Sequence, residues 1–273
     1  MSHLKNPLGT ILQTCAKKQS TMIRNFKVMS YNIWFDDSDR LGRLESLIAT
    51  ILTSNPDVIC MQEVIPDVYE ILKLKLSQYP HYFPETLEYS YGSVTMSKYP
   101  MEKCVSKEFK GSRMGRSLLI SSINVPSIDG TITPIIVGNT HFESEFQRKE
   151  SNDEKIYQYA YTQSILDSMH EHNDRIIFCS DSNLLSHEES MFFADDMWKD
   201  SWKEKGSTRD QFTYDYFTND NLRKKNVGKF RSRLDRILYR NDNLKTEIFS
   251  VNKGIYGMLP PSDHHGVEAT FVY

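Results

Sequence analysis

The sequence predicts an α/β domain in which two β-sheets pack face to face and helices cover the outside. Short apolar runs, such as residues 57–61 and 176–180, are typical of strands buried on both faces. Apolar residues recur at helical spacing over residues 38–55, which indicates a helix covering a sheet. Strands and helices alternate, and a run of strands precedes the last helix. We therefore expect one layered domain over residues 26–273.

Composition narrows the class of protein. The 273 residues are 39% hydrophobic and 25% charged, as in an ordinary globular domain. No apolar run is long enough to span a bilayer, so we expect no membrane association. The net charge of -3 does not indicate a surface that is basic as a whole, as in many nucleic-acid-binding proteins. A binding site for a polyanion must therefore be a local basic patch. Four well-separated cysteines without a CxxC pair disfavour a disulfide framework or a zinc site and indicate a reducing compartment.

Residues 1–25 are expected to form a flexible arm. No Asp or Glu occurs before Asp36, whereas Lys5, Lys17, Lys18 and Arg24 are basic. This bias is similar to that of an organelle transit peptide, but the segment is not rich in arginine and has no apolar secretory core. The arm is the favoured interpretation, and a targeting signal is the alternative.

The first half of the domain is predicted to contain two strand–helix pairs. Residues 26–33 have strand character and end near Asn32. The helix over residues 38–55 begins at a Ser-Asp cap and ends before Pro56. A buried strand over residues 57–61 then leads to Glu63, and a second amphipathic helix begins at Pro66.

The second half of the domain is predicted to be richer in strands. Strands are expected over residues 93–97, 116–125 and 134–140, with a turn at residues 127–130. A long helix over residues 152–173 leads into the strand that ends at Asp181. Further strands are expected over residues 231–239 and 266–272.

Polar side chains lie at or near the ends of these predicted strands. The set comprises Asn32, Glu63, His141, Asp181, Asn183, Asp235, Asp263 and His264. Each has a simple structural explanation when taken alone, such as a helix cap, a turn former or a surface ion pair. Together, on one edge, they would form a pocket of carboxylates, imidazoles and amides.

Such a pocket suits phosphodiester hydrolysis. Oxygen ligands such as Glu63 favour a hard cation, and Mg²⁺ takes few protein carboxylates while keeping substrate oxygens as ligands. Zinc is disfavoured because no HExxH motif occurs. The reaction needs neutralised phosphate oxygens, an activated water and a stabilised leaving oxygen, which cation, carboxylate and imidazole groups supply.

The motifs resemble those of the endonuclease/exonuclease/phosphatase superfamily, and within it the tyrosyl-DNA phosphodiesterase subgroup. They occur in the family's order as Ser30-Tyr31-Asn32, Met61-Gln62-Glu63, Thr140-His141-Phe142-Glu143-Ser144, Ser180-Asp181-Ser182-Asn183, Arg233-Leu234-Asp235-Arg236 and Ser262-Asp263-His264. This resemblance implies a four-layer α/β sandwich of two packed sheets flanked by helices. It also implies Mg²⁺ dependence, with Mn²⁺ as a substitute, and hydrolysis of the bond between a topoisomerase II tyrosine and a DNA 5'-phosphate.

The resemblance also assigns roles to residues. Glu63 is the implied metal ligand, with Asn32 and Asp263 close to it. Asp181 with Asn183 aligns the attacking water, and His141 and His264 grip the phosphate while Asp235 holds His264. Substrate contacts are implied at Ser144, Arg116, Tyr214, Arg231 and Arg233.

Three departures from the subgroup bear on the grip on DNA. Ser180 stands where the family usually has Gly, Leu185 where an Arg is common, and Tyr214 where Trp is usual. A tyrosine ring still stacks on a base. The basic residues between Arg223 and Arg240 have two open interpretations, a DNA groove or a solvated charged face.

The leading hypothesis is therefore a monomeric DNA repair hydrolase acting on 5' ends that carry a tyrosyl or topoisomerase II peptide adduct. It is expected in the nucleus, with the cytoplasm as the alternative. A related phosphodiesterase or phosphatase for abasic DNA, RNA or phosphoinositides is the enzymatic alternative. A nonenzymatic nucleic-acid binder on the same fold is the third.

Overall fold

The computed structural model describes residues 25–127, 130–144, 151–169, 175–193, 195–240 and 243–273. The expected arm lies outside the described residues, apart from Asn25 at its end. Two six-stranded sheets form the centre of the part of the chain that the structure describes. In the part of the chain that the structure describes, no helix has the length and apolar character needed to cross a bilayer.

The first sheet has the strand order β13-β14-β1-β2-β4-β3. Its strands β1 and β2 are parallel, and the other neighbours are antiparallel. In chain order the strands are β1 (Asn25–Asn32), β2 (Val58–Val64), β3 (His81–Phe83), β4 (Gly92–Ser97), β13 (Lys245–Asn252) and β14 (Gly266–Val272).

The second sheet has the strand order β5-β6-β7-β8-β12-β9. Here β7 and β8 are parallel, and the remaining pairs are antiparallel. The strands are β5 (Met101–Glu108), β6 (Ser117–Pro126), β7 (Ile132–His141), β8 (Arg175–Asp181), β9 (Lys199–Asp200) and β12 (Asp235–Arg240). A separate two-stranded ribbon pairs β10 (Tyr214–Asp215) with β11 (Arg231–Ser232).

Within the described ranges, five α-helices accompany the sheets: α1 (Arg40–Ser54), α2 (Pro66–Lys75), α3 (Ser151–Ser168), α4 (Ser201–Lys205) and α5 (Asp220–Lys225). Short 3-10 helices cover Ser186–Met191 and Thr208–Asp210. Helix α1 presents its buried face, including Leu44, Leu47 and Ile51, to the first sheet. Helix α3 packs on the second sheet through Tyr159 and Leu166.

Three apolar layers hold the sheets and helices together. The central layer lies between the sheets and contains Val28, Val58, Val137, Ile177 and Ile237 from five strands, all fully buried. The outer layers lie between each sheet and its helices. Burial of this much apolar surface is the main favourable contribution to folding. The predicted four-layer α/β sandwich is thereby confirmed.

Candidate active site

Strand pairing brings the predicted polar residues to one edge of the two sheets. In the first sheet Asn32 pairs with Gln62, so the parallel strands β1 and β2 end level with each other. In the second sheet His141 and Asp235 both lie opposite Asp181, on either side of β8. Because β12 runs antiparallel to β8, its first residue lies where β8 ends. The remote sequence segments therefore meet at one place.

Asp181 lies at the centre of this edge and is almost fully buried. Its Oδ2 accepts a hydrogen bond from the Asn32 side-chain amide at 2.8 Å. The Nε2 atoms of His141 and His264 lie 3.2 and 3.8 Å from the same oxygen. The Asn183 backbone N–H donates to Oδ1 at 3.1 Å. Burial opposes ionisation, but these neighbours together lower the pKa of Asp181 below its ordinary value, so it is a carboxylate.

The two imidazoles around Asp181 carry different charges. Arg116 Nη1 lies 2.7 Å from His141 Nδ1, and a guanidinium only donates, so Nδ1 accepts and Nε2 carries the proton towards Asp181. Burial and the Arg116 charge lower the pKa of His141 well below its ordinary value, which keeps it neutral. His264 Nδ1 lies 2.8 Å from Asp235 Oδ2. Although burial opposes it, Asp235 and Asp181 raise the pKa of His264 well above its ordinary value, so it is an imidazolium.

Glu63 lies beside this group in an unusual backbone conformation. Its φ is 58°, at the register shift between β2 and β4, and its Oε2 accepts from the Phe35 backbone N–H at 3.2 Å. Burial raises the pKa of Glu63, against the effect of the nearby cations. Burial also raises the pKa of Asp263 to about 7, with a further contribution from Glu63 and an opposing one from His264. Two buried carboxyl groups whose ionisation is disfavoured are a suitable environment for a cation.

The donor set therefore offers two places for a metal ion. Ligand atoms of Asp181, Asp235 and His264 lie within 4.8 Å of one another, a possible metal-binding group. However, His264 is an imidazolium whose Nδ1 is already bound by Asp235, and a protonated nitrogen cannot ligate. Among the described residues, neither Glu63 nor Asp263 forms an ion pair with a lysine or arginine. The Glu63 side of the site is the better fit for a hard cation.

The predicted substrate residues are divided between the site and its surroundings. Arg116 is buried against His141, and the Tyr214 ring centroid lies 5.1 Å from that of His264. Ser144 lies at the edge, with its hydroxyl 3.6 Å from Met114 Sδ. Arg231 lies on the β10–β11 ribbon, half exposed and 3.0 Å from Asp215.

Arg233 is not brought into the site, which corrects the prediction that it contacts DNA. Its guanidinium is buried, and it donates to Asp200 at 2.6 Å and Glu189 at 2.9 Å. It also packs on the Trp202 ring at 4.5 Å. A guanidinium already paired with two carboxylates is not available to a phosphate. Arg233 is therefore a structural residue.

The basic run does not form a continuous groove either. Lys224 and Lys225 form ion pairs with Asp39 and Asp36 at 3.2 and 3.0 Å. Arg236 is buried against the acidic residues that also bind Arg233. Most of these charges are neutralised by acidic residues from distant segments, so neither a groove nor a free solvated face describes the run.

Sequence patterns missed several residues that shape the site. The Phe35 ring stacks on Tyr91 with centroids 4.9 Å apart, and the Arg116 guanidinium lies 5.3 Å from the Tyr91 centroid. Thr213 Oγ1 accepts from the backbone N–H groups of Leu234 and Asp235 at 3.0 Å each and so fixes the start of β12. The position of Phe35 three residues after Asn32 is a signal that could have drawn attention to it.

Comparisons with known proteins agree with this geometry. The profile of the Endonuclease/Exonuclease/phosphatase family matches residues 29–264. The 5'-tyrosyl-DNA phosphodiesterase of Caenorhabditis elegans is 29% identical over an alignment of 254 residues that covers 89% of this chain and 66% of the relative. Tyrosyl-DNA phosphodiesterase 2 of Xenopus laevis is 26% identical over an alignment of 267 residues that covers 93% of this chain and 68% of the relative.

Solved structures show the same arrangement of strands and helices. The crystal structure of truncated C. elegans TDP2 superimposes with a TM-score of 0.77 at 25% identity, covering 91% of this chain and 98% of that one. The crystal structure of D. rerio TDP2 complexed with a single-strand DNA product has a TM-score of 0.78 at 21% identity, covering 90% of this chain and 98% of that one. The second likeness concerns the fold alone.

Proposed function

This chain belongs to the endonuclease/exonuclease/phosphatase family, and from that premise we propose that it is a divalent-metal-dependent 5'-tyrosyl-DNA phosphodiesterase. The observation that carries the proposal is the setting of Asp181. One carboxylate oxygen is contacted by an amide, a neutral imidazole and an imidazolium, next to a carboxyl pair suited to a cation. This arrangement provides a base, charge stabilisation and a place for a metal around one phosphate.

In this proposal Asp181 orients the attacking water and accepts its proton. The Asn183 backbone N–H and the Asn32 amide fix the two carboxylate oxygens, so the base does not need to reorganise during the reaction. The Asn183 side chain donates to the Phe142 carbonyl at 3.0 Å, which holds this segment against β7. Asn183 therefore contributes indirectly, by holding Asp181 in position.

His264 and His141 bind the phosphate and stabilise its transition state. Asp235 keeps His264 charged and oriented, so its imidazolium provides a fixed positive charge next to the water-activating carboxylate. His141, held neutral by Arg116, offers an N–H from Nε2. The leaving group is a phenol with an ordinary pKa near ~10, which departs more readily than a sugar hydroxyl and needs no strong general acid.

We propose that the metal is Mg²⁺, with Mn²⁺ as a substitute, held by Glu63 and Asp263 with Asn32 nearby. When bound, such an ion supplies charge neutralisation for the phosphate oxygens and for the leaving oxygen. The raised pKa values of Glu63 and Asp263 support this choice, because a bound cation stabilises the charged carboxylates that burial disfavours.

We further propose that the substrate is a DNA 5' end linked to a topoisomerase II tyrosine or peptide, that the protein acts as a monomer and that it works in the nucleus. The relatives named as tyrosyl-DNA phosphodiesterases support the tyrosyl-DNA part of this proposal. Imaging of the tagged protein together with a nuclear marker tests the location. Exclusion of the protein from the nucleus would contradict it.

The decisive experiment compares four substrates in the presence of Mg²⁺. They are a 5'-phosphotyrosyl oligonucleotide, a 3'-phosphotyrosyl oligonucleotide, an abasic duplex and inositol phosphates. We expect release of tyrosine from the first alone, leaving a 5'-phosphate. Cleavage of only the abasic duplex would refute the proposal, and the absence of any turnover would favour a nonenzymatic binder.

The variant Asp181→Asn tests the proposed role of Asp181 as the base. It keeps a side chain of the same size but cannot accept the proton of the water. We expect turnover to fall by about 10²–10⁴ while DNA binding, measured by fluorescence anisotropy, persists. Wild-type turnover in this variant would refute the role of Asp181.

A further inference from the structure

A buried arginine at the start of helix α1 binds two segments that adjoin the candidate metal site. Arg43 lies in the first turn of α1 and is 2% exposed. Its guanidinium donates, over 2.5–3.4 Å, to the backbone carbonyls of Ile33, Trp34, Asp36, Ser38 and Pro261. Four of these residues follow strand β1, and the fifth precedes Asp263 by two positions. Arg43 therefore links the segment after β1 to the segment that carries Asp263.

The segment after β1 holds two residues of the metal site. The Trp34 backbone N–H donates to Asn32 Oδ1 at 2.9 Å, and the Phe35 backbone N–H donates to Glu63 Oε2 at 3.2 Å. Trp34 has a φ of 60°, which costs free energy for a residue other than glycine and persists only where the surroundings hold it. Arg43 binds the Trp34 carbonyl itself at 3.2 Å. The direction of these two N–H groups therefore depends on Arg43.

The second segment, around Pro261, places Asp263. The Pro261 carbonyl accepts from Arg43 at 3.4 Å, and Arg43, Glu63 and Pro261 line the same small cavity. Two consecutive prolines, Pro260 and Pro261, restrict the backbone before Asp263. A displacement of the Pro261 carbonyl is therefore passed on to the Asp263 carboxyl group.

The contacts of Arg43 require a guanidinium. Among the described residues its hydrogen-bond partners are all carbonyl oxygens, and its Cζ lies 4.5 Å from the centroid of the Trp34 ring. Burial lowers the pKa of Arg43 below its ordinary value, and the carboxylates of Asp263 and Asp36 oppose that effect. A planar fork of N–H groups binds several carbonyls at once, which the ammonium of a lysine cannot do.

We propose that Arg43 is a positioning residue of the metal site, which holds Glu63 and Asp263 at the separation that one divalent ion requires. This inference rests on the proposed function, of which the metal is a part. Arg43 acts on Glu63 through the Phe35 N–H and on Asp263 through the Pro261 carbonyl. Mg²⁺ demands near-ideal ligand geometry, so a small displacement of either carboxylate weakens binding.

The test measures the affinity of the free protein for Mn²⁺, from the electron paramagnetic resonance signal of the unbound ion. Binding at the proposed site is the part of the titration that Glu63→Ala removes. For Arg43→Lys we expect the Kd of this site to rise about 10- to 100-fold, the usual effect of losing a group that orients metal ligands. Because lysine keeps the positive charge, the change reports the position of the ligands.

Arg233→Lys is the matched control. Arg233 is also buried, and its guanidinium lies 4.5 Å from the centroid of a tryptophan ring, that of Trp202. Its partners, Asp200 and Glu189, are not part of the metal site. We expect both lysine variants to lower Tm, but Arg233→Lys should keep the wild-type Kd for Mn²⁺.

The dependence of turnover on Mg²⁺ provides a second measurement. In Arg43→Lys the Mg²⁺ concentration for half-maximal turnover should rise, while turnover at saturating Mg²⁺ should return close to the wild-type value. Glu63→Ala lacks a ligand, so saturating Mg²⁺ should restore little of its turnover. If Arg43→Lys does not fold, Trp34→Ala takes its place. This variant removes only the half-buried ring beside the guanidinium and should raise the Kd for Mn²⁺ by a smaller factor.

Each result has a distinct meaning. A wild-type or lower Kd for Mn²⁺ in folded Arg43→Lys would overturn the inference and leave the proposed function standing. Equal increases in Kd for Arg43→Lys and Arg233→Lys would also overturn it, because the loss would then follow stability alone. If the wild type shows no Mn²⁺ binding that Glu63→Ala removes, the metal site of the proposed function fails instead.

Discussion

A buried ion pair under the active-site edge gives the strongest prediction about stability. Lys155 of α3 is fully buried, and its Nζ lies 2.8 Å from Glu188 Oε2. The same Nζ donates to the Asn183 backbone carbonyl at 3.0 Å. Asn183 has a φ of 47°, which costs free energy for a residue other than glycine, and Lys155 helps to hold it there. Lys155→Met would remove both contacts and leave Glu188 unpaired.

The expected cost is large because both charges are buried. Removing one partner of a buried pair typically costs about 3–5 kcal/mol, since the remaining charge stays desolvated. For a domain of this size that corresponds to a decrease in Tm of roughly 6–20 °C. The loss is a substantial share of a typical free energy of unfolding of ~5–15 kcal/mol. We therefore expect Lys155→Met to be folded but markedly less stable.

A double-mutant cycle checks this account by chemical and thermal unfolding. Glu188→Gln removes the negative charge but keeps an acceptor for the Leu185 backbone N–H, which now donates to Glu188 at 2.9 Å. In the Lys155→Met background it should restore at least half of the lost free energy. The control is Lys253→Met, which breaks a half-exposed pair with Asp210 and should cost less than ~1 kcal/mol. Similar losses for the two lysine variants would refute the reasoning.

Three further perturbations have defined outcomes. Asp235→Asn removes the carboxylate that raises the pKa of His264. His264 should then lose its proton at a lower pH, and the alkaline side of the pH–rate profile should shift to lower pH. An unchanged alkaline side of the profile would contradict the role of Asp235. Gly266→Ala places a Cβ 2.4 Å from the Tyr31 ring and should destabilise the fold by about 1–3 kcal/mol in urea unfolding. Chelation of divalent ions should abolish turnover by the wild type, and added Mg²⁺ should restore it. Excess Mg²⁺ should restore very little turnover to Glu63→Ala. Full restoration would show that Glu63 is not a metal ligand.

The fold was predictable where burial makes the sequence pattern strong. The central strands β2 and β8 are nearly continuous apolar runs because both of their faces are covered. Strand β5 was not predicted, since it lies at an edge and most of its side chains are exposed. The segment over residues 231–239 was predicted as one strand but is two, β11 and β12. The break arises because Thr213 binds the backbone at Leu234, a contact across about twenty residues that no local pattern shows.

The sequence predicted which polar residues would lie close together, but it did not predict their charge states. The polar residues stood out because most of them lie at or near the end of a buried strand, and strand pairing brings such ends together. The opposite charge states of His141 and His264 depend on Arg116 and Asp235, whose positions only the tertiary structure determines. The sequence also gave no means of separating Arg231 from its buried neighbour Arg233, because the acidic partners of Arg233 come from other segments.

Charge balance links the metal to the substrate. The site gathers four carboxyl groups, those of Glu63, Asp181, Asp235 and Asp263, but its nearest fixed cations are His264 and Arg116. Burial is the main cause of the rise in the pKa of Asp263 to about 7, and the neighbouring carboxyl groups of Glu63 and Asp181 add to it. A phosphodiester brings one more negative charge, so its entry into the site without a cation is opposed by the same repulsion. A divalent ion cancels the excess, and for this reason substrate affinity and metal affinity should rise together.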